Sequence, residues 1–489
     1  MPRSTQTRPP SAVAVPFSAI VAAMLPAVLD QTILATALPV VAADLGSLAD
    51  VSWVVTAYVV AAAASTPLWG KLGDRHGRKL LLEVALALFV VASALCAATQ
   101  DIGQLIGLRL VQGAAAGGLM TLAMAVVGDL VAPRERGRYQ GYIAATFAVA
   151  TVVGPLLGGL LVEHASWRWV FLVNVPLGAG ALAGLSLRLP APPAGRPEHP
   201  LDAAGAALLA GATSALMLAC IWGGGRYAWD SAPILALIAA TVVLSGVLLA
   251  RERRAADPIV PLHLLRTPAV AVASAALFLG TAALFSITVF VPLFLQTATG
   301  ATPTQAGLLL VPAMLGITIS TTLSGRSIAR TGRYKRFPVA GLALMTAALA
   351  LLAALAGDPS RVATGAGIAL FGLGFGMVTQ VLVVAVQNGV DRRELGVATA
   401  TTGFFRALGG AVGAAVLGAV FASQAGVGAS DPGVHVASGD IAGAVQAVFL
   451  VAAPLAALAL IVVLRLPETP LRARPAAPAR SGEDEPLAV

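Results

Sequence analysis

The stretch "GKLGDRHGRK", Gly70 to Lys79, recurs 255 residues later as "GRSIARTGRY", Gly325 to Tyr334, and that recurrence organises the chain. "RERG", from Arg134, returns as "RRELG", Arg392 to Gly396, with Gly137 and Gly396 offset by 259. Between them "RLVQGAAAG", from Arg109, faces "IALFGLGFG", from Ile368, at the same offset of 259. Pro39 faces Pro292 at an offset of 253. Four matches in one order and at nearly one spacing describe two homologous halves rather than chance similarity.

The material between these punctuating loops is apolar. Of 489 residues, 58% are hydrophobic and 11% charged, far from the quarter charged of a soluble domain. Mean hydropathy is +0.86. With about 20 residues needed to cross a bilayer, fourteen spans are expected near 17–37, 51–69, 80–99, 104–128, 140–162, 168–187, 203–222, 232–250, 269–292, 304–324, 338–356, 363–387, 396–421 and 440–464. The N-terminus runs directly into the first span with no small-residue cleavage site, so no removable signal peptide is expected.

Charge tests the count. Twenty-six of the thirty-one Lys and Arg residues fall in loops on one side of this arrangement, three on the other, and two, Arg109 and Arg406, inside spans. Positive-inside logic places both termini in the cytoplasm and requires an even number of spans. The same clustering accounts for the net charge of +8 without a nucleic-acid partner. The expected fold class is an all-α polytopic membrane protein with 14 transmembrane helices. It divides into a six-helix bundle (1–188), two inserted helices with flanking loops (189–266), a second six-helix bundle (267–465) and a disordered cytoplasmic tail (466–489). Parallel repeats of this kind characterise carriers that rock around a central site.

Within "LPAVLDQTILATALP", Leu25 to Pro39, one acid interrupts an apolar helix. About 13 residues of the span precede Asp30, which places it ~20 Å deep at 1.5 Å per residue. Arg109 lies ~9 Å below the opposite face of a core ~30 Å thick, so the two meet at nearly one depth. An unpaired charge there costs at least ~2.5–3.5 kcal/mol; a mutual pair, or cavity water, removes that cost. A purely structural ion pair is the plain alternative. In the second half Asp30 and Arg109 are replaced by apolar residues, near Ala283 and at Ile368, and Asp74 by Ala329. Ion coupling is therefore expected in the first half.

The sequence resembles the major facilitator superfamily, specifically its fourteen-span drug/proton antiporter branch. "GKLGDRHGRK" matches the loop signature between helices 2 and 3, and "LIGLRLVQGAAAG", Leu105 to Gly117, the helix 4 motif. "GPLLGG", Gly154 to Gly159, matches the antiporter motif of helix 5, with Ala150 standing where that motif opens with Gly. "LDQTILATALP" and "WRWVFLVNVP", Trp167 to Pro176, resemble features of the fourteen-span branch. The resemblance implies the major facilitator fold, two six-helix bundles plus two inserted helices, and export of small hydrophobic or amphipathic compounds, including multidrug or antibiotic efflux, in exchange for protons. It implies a multi-pass protein of a bacterial inner membrane.

On this reading Asp30 and Arg109 couple protons. Gly70, Gly73, Asp74, Arg75, Gly77 and Arg78 form a cytoplasmic gating motif, in which Asp74 can pair with an Arg or cap a helix. Gly154, Pro155, Gly158 and Gly159 allow close packing and a bend, and help seal one access path. Trp53, Thr56, Tyr58, Gln112, Tyr142, Phe147, Gln380, Phe405 and Arg406 are candidates for a substrate cavity, Arg406 having no nameable acidic partner. A single deep acid favours neutral or monovalent cationic cargo. The expected partners are a small hydrophobic or cationic molecule, protons and membrane lipid, with the protein monomeric.

Other chemistries find no support. No G-x-x-x-x-G-K-[ST] phosphate loop is present. The five histidines lack metal-ligand spacing, and Cys96 and Cys220 lie in spans, so neither metal nor disulfide is expected. No cofactor is expected, the proton gradient supplying the drive. A nutrient symporter and a membrane-embedded enzyme are the rival readings; the antiporter-type "GPLLGG" disfavours the first and the lack of paired catalytic residues the second.

Overall fold

The structure, a computed structural model, describes residues 10–45, 51–189, 200–224, 226–255, 257–298, 310–356, 360–425, 438–469 and 471. All its regular elements are helical, as expected where backbone groups in hydrocarbon must satisfy one another within a segment. The first half comprises α1 (Pro10–Leu45), α2 (Val51–His76), α3 (Arg78–Ala97), α4 (Ile102–Leu130), α5 (Pro133–His164), α6 (Trp169–Leu172) and α7 (Asn174–Arg188). The inserted pair is α8 (Ala203–Trp222) and α9 (Ala232–Glu252), followed by the short α10 (Leu262–Arg266). The second half has α11 (Pro268–Phe285), which runs through a π-turn at Ser286–Phe290 into α12 (Val291–Ala298). After these come α13 (Val311–Thr331), α14 (Arg336–Leu355), α15 (Arg361–Gly389), α16 (Leu395–Ala425) and α17 (Ser438–Leu464).

Thirteen helical segments are long and apolar enough to cross a membrane. The remaining expected span, 304–324, corresponds to α13, where Thr318, Ser320, Thr321, Thr322 and Ser324 dilute the apolar run. Its first residues, 304–309, lie outside the described residues, as do 1–9, 190–199 and nearly all of the expected tail. The expected sixth span is one helical run, Trp169–Arg188: Val173, between α6 and α7, keeps helical dihedrals of −60° and −28°, and its amide donates to the Trp169 carbonyl at 3.0 Å. Helix starts carry their own signals. The Asp101 carboxylate accepts from the Gln104 amide at 2.8 Å, and Asp202 from the Gly205 amide at 2.8 Å, satisfying donors that have no partner inside the helix.

Packing repeats as the sequence does. On α4, Gly113 and Gly117 press against the backbone at Tyr58 and Ala62 of α2; on α15, Gly372 and Gly376 press against Ala313 and Ile317 of α13. The paired positions are offset by 259 and 255, the sequence spacings themselves. The loop glycines Gly77 and Gly332, also 255 apart, have φ of 95° and 70°, a left-handed region that a side chain adopts only with strain. Each half packs its own apolar core. A small cluster of Val60, Ala63 and Met217, with Ala407 and Ala411 against it, seats α8 on α2 and α16.

Candidate functional site: a buried charge cluster beside a central cavity

Asp30 on α1 is fully buried, and Arg109 on α4 is 1% exposed. The Arg109 Nη1 donates to Asp30 Oδ2 at 2.5 Å and to Gln112 Oε1 at 2.7 Å, while its Nε donates to the Val54 carbonyl at 3.1 Å. Gln112 sits three residues beyond Arg109, on the same helix face. Its Nε2 donates to Asp30 Oδ1 at 3.0 Å and to Ser93 Oγ at 2.6 Å. Asn174 Nδ2 completes the ring, donating to Asp30 Oδ1 at 3.2 Å and Ser93 Oγ at 3.3 Å. The Tyr58 ring lies under the guanidinium at 4.2 Å, within cation–π range. Four helices thus converge on one carboxylate.

The residues that make this possible are local choices. Asn174, at the start of α7, is fully buried with its amide turned toward the carboxylate. Its Oδ1 has no hydrogen-bond partner among the described residues. Asn174 and Ser93 were not expected in the site: a neutral polar residue in an apolar run carries no charge signal, although Asn174 falls within the "WRWVFLVNVP" stretch.

A cavity of about 430 Å³ lies between the halves. Of the expected cavity residues Tyr58, Phe147, Gln380 and Arg406 line it. Trp53 instead packs edge-on against Trp222 at 4.9 Å, Thr56 is buried, and Gln112 belongs to the charge cluster. The Tyr142 hydroxyl accepts from Arg138 at 3.0 Å on an exposed face, and Phe405 packs on Phe404. An apolar cavity wall and a lipid-facing surface tolerate the same residues, so type alone does not separate them. Met120, Met124 and Met314 line the cavity as well; flexible thioethers suit varied shapes. Tyr58 touches both the cavity and Arg109, and Gln31, next to Asp30 in sequence, also lines the wall.

At the arginine-rich end the halves are joined. The Asp74 carboxylate accepts from Arg78 at 2.7 Å and from the Gly396 and Val397 amides at 3.0 and 2.8 Å. Those amides belong to the first turn of α16, where donors lack intrahelical partners and the helix dipole favours a negative charge. Arg78 also pairs with Asp129 and donates to the Arg392 carbonyl at 2.8 Å. Lys71 and Arg75 both pair with Asp257, in the strap that follows α9. Gly70 abuts Gly396 and Ala400, and Gly73 lies against Leu122. Of the helix 5 motif, Gly154 and Gly158 pack on Thr32, Ile33 and Thr36 of α1, just beyond Asp30; Gly159 has open space above it and Pro155 is exposed.

The family model described as Major Facilitator Superfamily matches residues 20–414. The chain belongs to the Major Facilitator Superfamily. Among superfamily relatives, an uncharacterized MFS-type transporter of Mycobacterium tuberculosis is 40% identical over 83% of this chain. The chain spans only 59% of that relative's length. The multidrug transporter protein MdtP of Bacillus subtilis is 33% identical, over 84% of this chain and 75% of its own. A solved superfamily structure, the human organic anion transporter MFSD10, superposes with a TM-score of 0.67 over 93% of this chain and all of that one. At 18% identity it shows the fold alone. The chain is a multi-pass membrane protein of this superfamily.

Proposed function

We propose that the chain is a proton-coupled antiporter that exports small hydrophobic or amphipathic compounds by alternating access. One observation carries this reading: a fully buried carboxylate, held by Arg109, Gln112 and Asn174, stands one side chain behind the wall of a drug-sized cavity. Intramembrane acids facing a bundle interior mark ion pathways. The multidrug name of the Bacillus subtilis relative supports efflux, and we extend the proposal to antibiotics. With the arginine-rich end in the cytoplasm, the joined ends form a shut inner gate.

A proton arriving at Asp30 cancels its charge and dissolves the pair with Arg109. The Asn174 amide then turns over, and its free Oδ1 accepts the new O–H. Arg109 shifts against the ring of Tyr58, a residue of the cavity lining, so cargo and proton compete through one residue. Tyr58 is thus the physical link between the two.

Proteoliposomes loaded at acidic pH test this. Cargo added outside should alkalinise the lumen under exchange, whereas symport would acidify it. Asp30→Asn, isosteric and uncharged, should lower proton-linked exchange at least 100-fold while the protein still purifies as a monodisperse species. Undiminished exchange by that variant would end the coupling role.

A further inference from the structure

Arg406 stands about eleven residues into α16, ~16 Å along its axis by the helical rise. Thr399, Thr402 and Gly403, one and two turns earlier on the same face, line the central cavity with it. Its side chain is exposed to that cavity. No hydrogen bond, ion pair or neighbouring charge among the described residues engages it. The described lining contains no Asp, Glu, Lys or His. Asp30, the nearest acid by sequence to the wall at Gln31, is buried and already neutralised by Arg109.

The cavity therefore carries one net positive charge that the protein leaves unanswered. A cation within the membrane span normally meets a counter-charge or a carbonyl, because leaving it bare is costly. Gln31 and Gln380 supply further polar groups on the wall, while Met120, Met124, Phe147 and Phe375 present an apolar surface. One bare guanidinium beside a thioether and aromatic surface matches one class of molecule: an acidic head on an apolar body.

We propose that Arg406 is the anion-binding residue of the central cavity and that the preferred cargo is an amphipathic organic monoanion, such as an aryl carboxylate. This deepens the proposed export function and rests on the cavity being its cargo site. It reverses the preference for cations that a single deep acid suggests, because that acid does not face the cavity. A planar guanidinium takes a carboxylate through two parallel hydrogen bonds.

Three probes sharing one body, 2-naphthoate, 2-naphthylmethanol and 2-naphthylmethylammonium, separate the possibilities. The full chain in nanodiscs should bind naphthoate at least tenfold tighter than the alcohol, and the ammonium weakest. Arg406→Gln should lose at least tenfold affinity for naphthoate and far less for the alcohol, so that the preference collapses. Arg406→Lys, which keeps the charge and loses the fork, should fall between wild type and Arg406→Gln for naphthoate while still preferring it to the alcohol. Equal or tighter binding of the ammonium by wild type, or an anion preference that survives Arg406→Gln, overturns the assignment. So does an absence of naphthoate binding to wild type. Transport by the same preparation keeps the two readings apart. Naphthoate bound through Arg406 but never moved would refute export and leave the anion site standing. Proton-driven movement of the ammonium in preference to naphthoate would refute the anion site and leave export standing.

Discussion

The two halves share a backbone plan and divide the chemistry. Where the first half buries Asp30 and Arg109, the second buries Ala283 and Ile368, both fully enclosed in its apolar core. The seams between the halves differ in the same sense. At one, Gly70 of α2 meets Gly396 of α16; at the other, Gly325 of α13 meets Gly137 of α5, the repeat-related pairing. Only the first adds a carboxylate, Asp74, because Ala329 stands at its counterpart. The receiving helices differ as well. α16 begins at Leu395, so the Gly396 and Val397 amides are free to meet Asp74. α5 begins four residues before Gly137, so the equivalent amides fall inside the helix. Duplication supplied the frame, and substitution left one half to carry the ionic cluster and the other to serve as an apolar partner with one cation turned to the cavity.

The contrast can be broken most severely by moving charge into the second core. Ile368→Arg would bury a cation with no partner, a cost above ~4 kcal/mol; the variant should fail to accumulate in the membrane on immunoblots. Accumulation at wild-type level would mean that the second half tolerates what the first was built to hold. Removing charge from the first half is the next largest effect. Arg109→Ala strands Asp30 and should cost ~3–5 kcal/mol, read as a lowered detergent-phase melting temperature. Adding Asp30→Asn should recover most of that stability and none of the exchange. At the seams, Asp74→Asn should weaken the contact of α2 with α16 by ~1–3 kcal/mol, raising thiol reactivity of a cysteine placed at the basic end of the cavity. Ala329→Asp should shift the same readout by less than ~0.5 kcal/mol, since no free amides await it.

Much of this arrangement is legible in the sequence, because hydrocarbon is an unforgiving solvent. Span positions follow from apolar length, and the meeting of Asp30 with Arg109 agrees with simple depth arithmetic, the two lying within hydrogen-bonding distance. Repeat offsets anticipate which glycines press on which backbones. The neutral members of the cluster leave a fainter mark in the sequence. Asn174 is one uncharged amide in an apolar helix, marked only by the carboxylate it reaches, and Ser93 is an ordinary small residue until Gln112 reaches it. Trp53 and Phe405 show the limit from the other side: aromatic character places a residue in a membrane, and only packing decides whether it meets cargo, lipid or another ring.

The inserted pair gives the molecule a sidedness within the plane of the membrane. α8 rests on α2 and α16 through Met217 and Leu218, whereas the repeat-related boundary of α5 with α13 receives no such cladding from it. Among the described residues, surrounding lipid thus meets an added helix along one seam between the halves and the closely packed glycines of α5 and α13 along the other.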